Sequence, residues 1–193
     1  MPRPKAFDPD QALEQAMHVF WRKGYEATSM EDLLEAMNLN RGSLYATFGD
    51  KRQLFLKAMD RYCVGTIGER LKLLDQRTSA LAAVKQFIGT MTDGLLMDPT
   101  RRGCLLVNTA MELAPHEKDI GKRVAYSIAH MEDSFFKALS RAKKQGELEK
   151  DQDPRSLARY LTGMLQGVVV MYKAGAPAET VRDIVKTGLS ILE

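Results

Sequence analysis

Arg41, Ser43, Tyr45, Thr47 and Lys51 fall in one short stretch, and each carries a group that DNA accepts. A guanidinium can pair with guanine O6 and N7 through two hydrogen bonds. Hydroxyls and an ammonium can meet phosphate oxygens, contacts that set register without reading bases. Gly42 leaves the backbone bare beside Arg41, so the chain can approach a base edge closely. This is recognition chemistry. Bond-making chemistry has no comparable cluster. Cys63 and Cys104 lack C-x-x-C spacing, and His18, His116 and His130 do not group as metal ligands. The chain has no glycine-rich phosphate loop, HExxH or GxSxG pattern. No enzyme activity, cofactor or metal is therefore expected. Cys104 could serve as a thiolate sensor. With only Arg101 and Arg102 beside it, a buried structural thiol is the simpler reading.

The elements that must position these groups can be read from residues 28–54. Thr28 followed by Glu31 has capping-box spacing for a short helix carrying Leu33, Leu34, Ala36 and Met37. Asn38 stands where the chain must turn, and Asn tolerates the left-handed region. Leu39 is expected to plug that turn into the core. Asn40 suits the N-cap of a second short helix, Arg41 to Phe48, with Leu44 and Phe48 on its inner face. Asp50, with Gln53 three residues on, opens the next helix, which starts at Lys51 and Arg52. Short helix, tight turn, short helix is the pattern that sets a recognition helix in the major groove.

The segments FWRKGYEATSMEDLLEAM and LNRGSLYATFGDKRQLF resemble the DNA-binding region of the TetR family of transcriptional regulators over roughly residues 8 to 60. Two departures stand out. Asn38 replaces the family's usual Gly, and Thr47 stands where His is frequent. The resemblance implies that Thr28 and Ser29 touch the DNA backbone and that Arg41, Gly42, Ser43 and Tyr45 face the groove. Arg41 would read a base, Tyr45 and Thr47 would meet phosphate, and Lys51 would pin one. It also implies a dimer on a palindromic operator, with half-sites about 34–36 Å or a multiple apart, released by a small-molecule effector.

Charge adds little. Residues 1–62 carry nine basic and nine acidic side chains, and the whole chain has a formal charge of +3. A basic footprint would thus be one of placement. Arg3 and Lys5 lie on a Pro-broken arm, MPRPK, that could reach a groove or stay a plain basic terminus. No apolar run approaches the ~18 residues needed to cross a bilayer, and no secretory leader is evident. A cytoplasmic protein with reduced thiols and no membrane partner is expected.

The rest of the 193-residue chain reads as helix throughout, so the expected fold is all-α. With the resemblance, the boundaries imply a DNA-binding unit at 1–52 and a larger effector-binding and dimerisation unit at 53–193. Asp8-Pro9 opens the first helix, and Gly24 closes it. The helix from Asp50 is expected to continue through Ile67, Leu71 and Leu74, bent or loosened at Gly65 and Gly68. Further helices are expected over about Ser79–Met97, Gly103–Leu113 and Glu117–Gln145, and in two C-terminal segments from Asp153-Pro154 and after Pro177. The last two carry a broad apolar arc. In the resembled family these helices pair with their twins, which assigns Leu157, Leu161, Leu165, Val168, Val181, Ile184 and Val185 to a dimer interface. The other reading is that they close the protomer's own core. The middle helices resemble the family's ligand-binding part in placement. Candidate cavity residues are Phe87, Met91, Leu95, Cys104, Val107, Asn108, Met111, Glu112, Phe135, Met164 and Met171, with core packing as the competing role. Two other classes compete with a regulator: a small-molecule-binding or catalytic helical protein with a vestigial helix-turn-helix, and a protein-interaction module. A salt titration of DNA binding separates them from it.

Overall fold

The computed structural model describes residues 7–76 and 79–193. The arm bearing Arg3 and Lys5 lies outside the described residues. The described residues are helical with no strand. The order is α1 (Pro9–Lys23), α2 (Met30–Met37), α3 (Arg41–Phe48), α4 (Lys51–Arg61), a π-helical stretch Tyr62–Gly68, α5 (Glu69–Leu71) running into a 3-10 turn, α6 (Ala80–Leu96), α7 (Leu105–Glu112), α8 (Lys118–Lys144), α9 (Pro154–Lys173) and α10 (Ala178–Leu189).

The helix starts follow local rules. Asp8 accepts from the Asp10 amide ahead of Pro9, and Asp153 accepts from the Ser156 amide ahead of Pro154. Asn40 Oδ1 accepts from Ser43 N at 2.8 Å, and Asp50 Oδ1 from Gln53 N at 2.8 Å. Asn38 takes the left-handed conformation, φ 51°, as its place in the turn requires. One cap differs from expectation. The capping box belongs to Ser29 and Asp32, because Thr28 has turned its side chain inward. The Lys23 ammonium and the Ser29 groups bonded to Asp32 hold its carboxyl down at about 2.

Helix α1 packs on α2 and α4, and α8 lies along α6 and α9. Phe20, Leu33, Leu44, Leu54, Phe55 and Met59 fill the N-terminal core. Phe55 meets Phe20 and Tyr25 edge to face, each at 5.0 Å between ring centres. That core is continuous with the one formed by Phe87, Ile88, Leu106, Phe135 and Leu139. Each such side chain contributes about 1.5–3 kcal/mol by leaving water.

Two segments depart from a plain helical reading. The stretch Tyr62–Gly68 is π-helical rather than a bent α-helix. Residues 98–104 form a loop, with Arg101 at φ 48°, so α7 begins at Leu105 instead of Gly103. Arg101 accounts for the loop: its guanidinium donates to Tyr172 O and Ala176 O, both at 3.2 Å, and stacks 4.5 Å above the Tyr172 ring. No helix among the described residues is long and apolar enough to cross a membrane.

Candidate nucleic-acid interface and effector cavity

Helix α3 presents the surface expected of a reader. Leu44 and Phe48 are buried, while Arg41, Gly42, Tyr45 and Ala46 are exposed; Ser43 and Thr47 lie half-buried between. Tyr45 is 47% exposed, which for a residue on the second helix of this motif sets its phenol outside the core. Ala46 lies four residues after Gly42 and shares its outer face. Arg41 pairs with Glu31 at 3.1 Å, and both side chains are largely exposed. Such a pair is weak and can exchange for a better partner.

The C-terminal end of α3 is held by Lys57, whose ammonium donates to Thr47 O and Phe48 O, each at 3.5 Å. A cation at a helix C-terminus also meets the negative end of the dipole. Lys57 sits one helix later in the chain, so no local spacing rule could have pointed to it. Gly49 follows at φ 80°, and a Cβ there would collide with the Gln53 side chain. Lys51, expected to pin a phosphate, lies at the start of α4 with its ammonium 4.4 Å from the Tyr25 ring centre.

Thr28 must be reassigned. It is 1% exposed, and its hydroxyl donates to Gly24 O at 2.5 Å. It locks the α1–α2 corner and cannot touch DNA from that position. Ser29 is exposed at the start of α2 but is also engaged as the cap.

That corner is tied to the C-terminal helices. Glu112, at the end of α7, accepts from Tyr25 N at 3.0 Å and Glu26 N at 2.8 Å. Its carboxylate packs against Gly24 (φ 83°), where a Cβ would approach to 2.8 Å. Asn108, one turn earlier, donates to Arg102 O at 2.9 Å and accepts from Lys173 Nζ at 2.7 Å. Trp21 Nε1 donates to Gly103 O at 2.9 Å. Asn108 and Glu112 do share a face, but their hydrogen bonds make them struts between parts of the molecule. Replacing Glu112 with Ala should leave two amides without their partner and cost about 1–3 kcal/mol, read as a lower urea midpoint. An unchanged midpoint would remove the strut.

The other cavity candidates separate by location. Met91, Leu95, Cys104 and Val107 line a small, mostly apolar cavity of about 30 Å³, together with Ile67, Thr92, Leu106, Met131, Leu165, Gln166, Val168 and Val169. Phe87 and Phe135 do not line it. They are fully buried against each other, edge to face at 5.3 Å. Met111 and Met171 are exposed, and Met164 packs toward Gly188. Asn108, Met111 and Glu112 border an open groove of about 490 Å³ with Lys23 and Lys173. Tyr62 donates to Cys104 Sγ at 3.3 Å beside the cavity, and burial pushes its phenol up. Burial also raises the Cys63 thiol.

The expected dimer residues are mostly inside the protomer. Leu157, Leu161, Leu165, Val168, Val181 and Val185 are all buried within the one chain, and only Ile184 is half-exposed. The reason is α8 and α6, which cover the inner arcs of α9 and α10. The apolar surface left in water is the adjacent strip: Tyr160, Gly163, Gly167, Val170 and Met171 on α9, with Ile191 just beyond α10.

Comparison with known proteins agrees with this geometry. Residues 12–58 match the family described as bacterial regulatory proteins, tetR family, and residues 80–187 match the tetracyclin repressor-like C-terminal domain. The chain is 35% identical to an uncharacterized HTH-type transcriptional regulator, YezE, of Bacillus subtilis (strain 168), over the full length of both. It is 32% identical to the HTH-type transcriptional repressor ComR of Escherichia coli (strain K12), covering 98% of this chain and 90% of that one. A cysteine mutant of the TetR family regulator CifR, solved with a 26-bp operator duplex, superposes with a TM-score of 0.86. It is 33% identical and covers 97% of this chain and 98% of its own.

Proposed function

The chain belongs to the TetR family of transcriptional regulators, and from that premise we propose that it is a dimeric repressor that a small molecule releases from a palindromic operator. The observation that carries the reading half of this is α3 itself. Its two large apolar residues face inward, leaving Arg41, Gly42, Tyr45 and Ala46 on the outside. Arg41 is assigned to a base edge, and Ser43, Tyr45, Thr47 and Lys51 to backbone contacts around it. Ser29 approaches the backbone from α2. The family is one of regulators, not enzymes, and the working place of an operator-binding protein is the cytoplasm.

The second protomer is assigned to the exposed strip on α9, where Gly163 and Gly167 allow close helix approach and Tyr160, Val170 and Met171 supply apolar area. Isologous contact between two such strips gives the two-fold axis that a palindrome matches. The working parts divide inside α4. Residues 1–52 serve the groove, residues 53–193 serve effector and dimer, and the apolar face of α4 is shared.

Release follows from what α4 is tied to. Arg52 bonds Glu117 at 3.1 Å, and Arg123 bonds Asp60 at 3.1 Å, both between α4 and the α8 region. Arg61 bonds Glu14 of α1 at 2.5 Å. An effector that displaces α7 moves the α1–α2 corner through Glu112, and α4, packed along α1, follows. The pair of reading helices then leaves the half-site spacing, a shift of population between two dimer geometries. Selection of bound duplexes from a random pool, followed by salt titration of the winner, tests the reading. Affinity should fall steeply with ionic strength and exceed that for random DNA by about 10³-fold or more. Equal binding to all duplexes would refute it.

A further inference from the structure

Among the described residues, one half-buried arginine has neither a carboxylate nor a carbonyl oxygen for its guanidinium. Half-buried Arg52, Arg61, Arg102, Arg141 and Arg155 each hold a carboxylate, and half-buried Arg101 donates to two backbone carbonyls. Arg70, on α5, is also half-buried, yet among the described residues its guanidinium donates only to the thioether of Met91, at 3.5 Å. A thioether is a weak acceptor. A guanidinium drawn out of water without an anion leaves a desolvation cost unmet.

The surroundings of Arg70 form a recess of about 90 Å³, bordered by Trp21, Tyr62, Gly94, Asp98, Arg102 and Cys104. Asp98 also borders the recess, but its carboxylate is bonded to Arg102 at 3.0 Å and Thr100 at 2.6 Å and makes no ion pair with Arg70. Gly94 keeps the space in front of the guanidinium open; a Cβ there would lie 3.6 Å from Arg70 Nη2. Behind the recess lies the apolar cavity already described. The two spaces share Met91, Leu95, Cys104 and Val169. A planar five-donor cation at one end and a mostly apolar hollow at the other make a site of two chemical halves.

We propose that Arg70 anchors an anion subsite and that the effector class is a short carboxylate with an apolar tail. The carboxylate takes the two-pronged face of the Arg70 guanidinium, in a recess that Tyr62 also borders, its hydroxyl bonded to Cys104 Sγ. The tail enters between Ile67, Leu106 and Val168. A hollow of about 30 Å³ holds little more than one water, so the tail is short or displaces the adaptable side chains of Met91 and Met131. The inference rests on the effector-released reading and narrows it to one class of ligand.

Trp21 is the single tryptophan, borders the recess, and carries the Arg102 guanidinium 3.9 Å from its ring centre. Its fluorescence therefore reports occupancy directly. The full-length protein is titrated with straight-chain carboxylates from butyrate to octanoate and with the amides of the same lengths. A saturable change with the carboxylates, at least about tenfold weaker with the amides, is the expected result. Arg70→Met should abolish the response while its thermal melt confirms folding, and Arg70→Lys, which keeps charge but not the fork, should restore part of it. Equal responses to acids and amides, an undiminished response in Arg70→Met, or no response up to about 10 mM, a threshold far weaker than specific binding, would overturn the subsite. Operator release by the same carboxylates is measured separately. Binding without release would leave the subsite standing and overturn the release reading instead.

Discussion

Gly167→Glu is expected to yield a folded monomer that no longer holds its operator. Inside the protomer the substitution is tolerated: a Cβ at Gly167 meets no atom within 4 Å, and the helical backbone there has no positive φ. Replacing a mid-helix Gly should even favour α9 by a few tenths of a kcal/mol. Across a two-fold axis, however, each glutamate enters the apolar strip and faces its own copy. A desolvated charge without a partner costs several kcal/mol. Loss of the second half-site then removes the avidity of paired binding, a factor of about 10²–10⁴ in operator affinity. Sedimentation and a duplex-binding titration check both steps. A variant that remains dimeric would move the interface elsewhere. Leu165, which is 5% exposed and lines the inner cavity, would be the wrong position for this test, because a charge there would damage the protomer itself.

Arg41→Ala should weaken operator binding by about 1–3 kcal/mol and relax discrimination at one base pair of each half-site. Fold stability should stay within about 0.5 kcal/mol of the parent, since Arg41 and Glu31 are both exposed and their pair contributes little. The separation matters. A loss of affinity that is uniform over all sequences would mark Arg41 as a phosphate contact, and an unchanged preference in duplex selection would remove it from base reading. Lys51→Ala provides the contrast expected of a backbone contact, with a smaller salt slope and the same preference.

Much of the reader was legible because its information is local. Asn38, Asn40 and Asp50 each act on backbone groups within a few residues, so their roles followed from spacing alone. The one local error was a frame of one residue: Thr28 and Ser29 both suit an N-cap, and only the buried hydroxyl bond from Thr28 to Gly24 selects Ser29. Helix α3 has little amphipathic contrast, yet Leu44 and Phe48 at i and i+4 were enough to orient it.

The C-terminal helices were legible as helices but not as surfaces. Periodicity shows that α9 has a wide apolar arc; it does not say which part of the arc α8 and α6 cover and which part is left for a second chain. The same limit explains why Phe87 and Phe135 seemed fit to line a cavity and instead fill the core. Helix boundaries, caps and the inward side of the reading helix were set by neighbours along the chain, through hydrogen bonds and spacing that a linear reading can follow. The struts from Glu112 and Lys57, the Arg70 guanidinium set against the Met91 thioether and the strip left bare on α9 depend on groups far apart in the chain, and exist only once packing has decided which atoms lose water together.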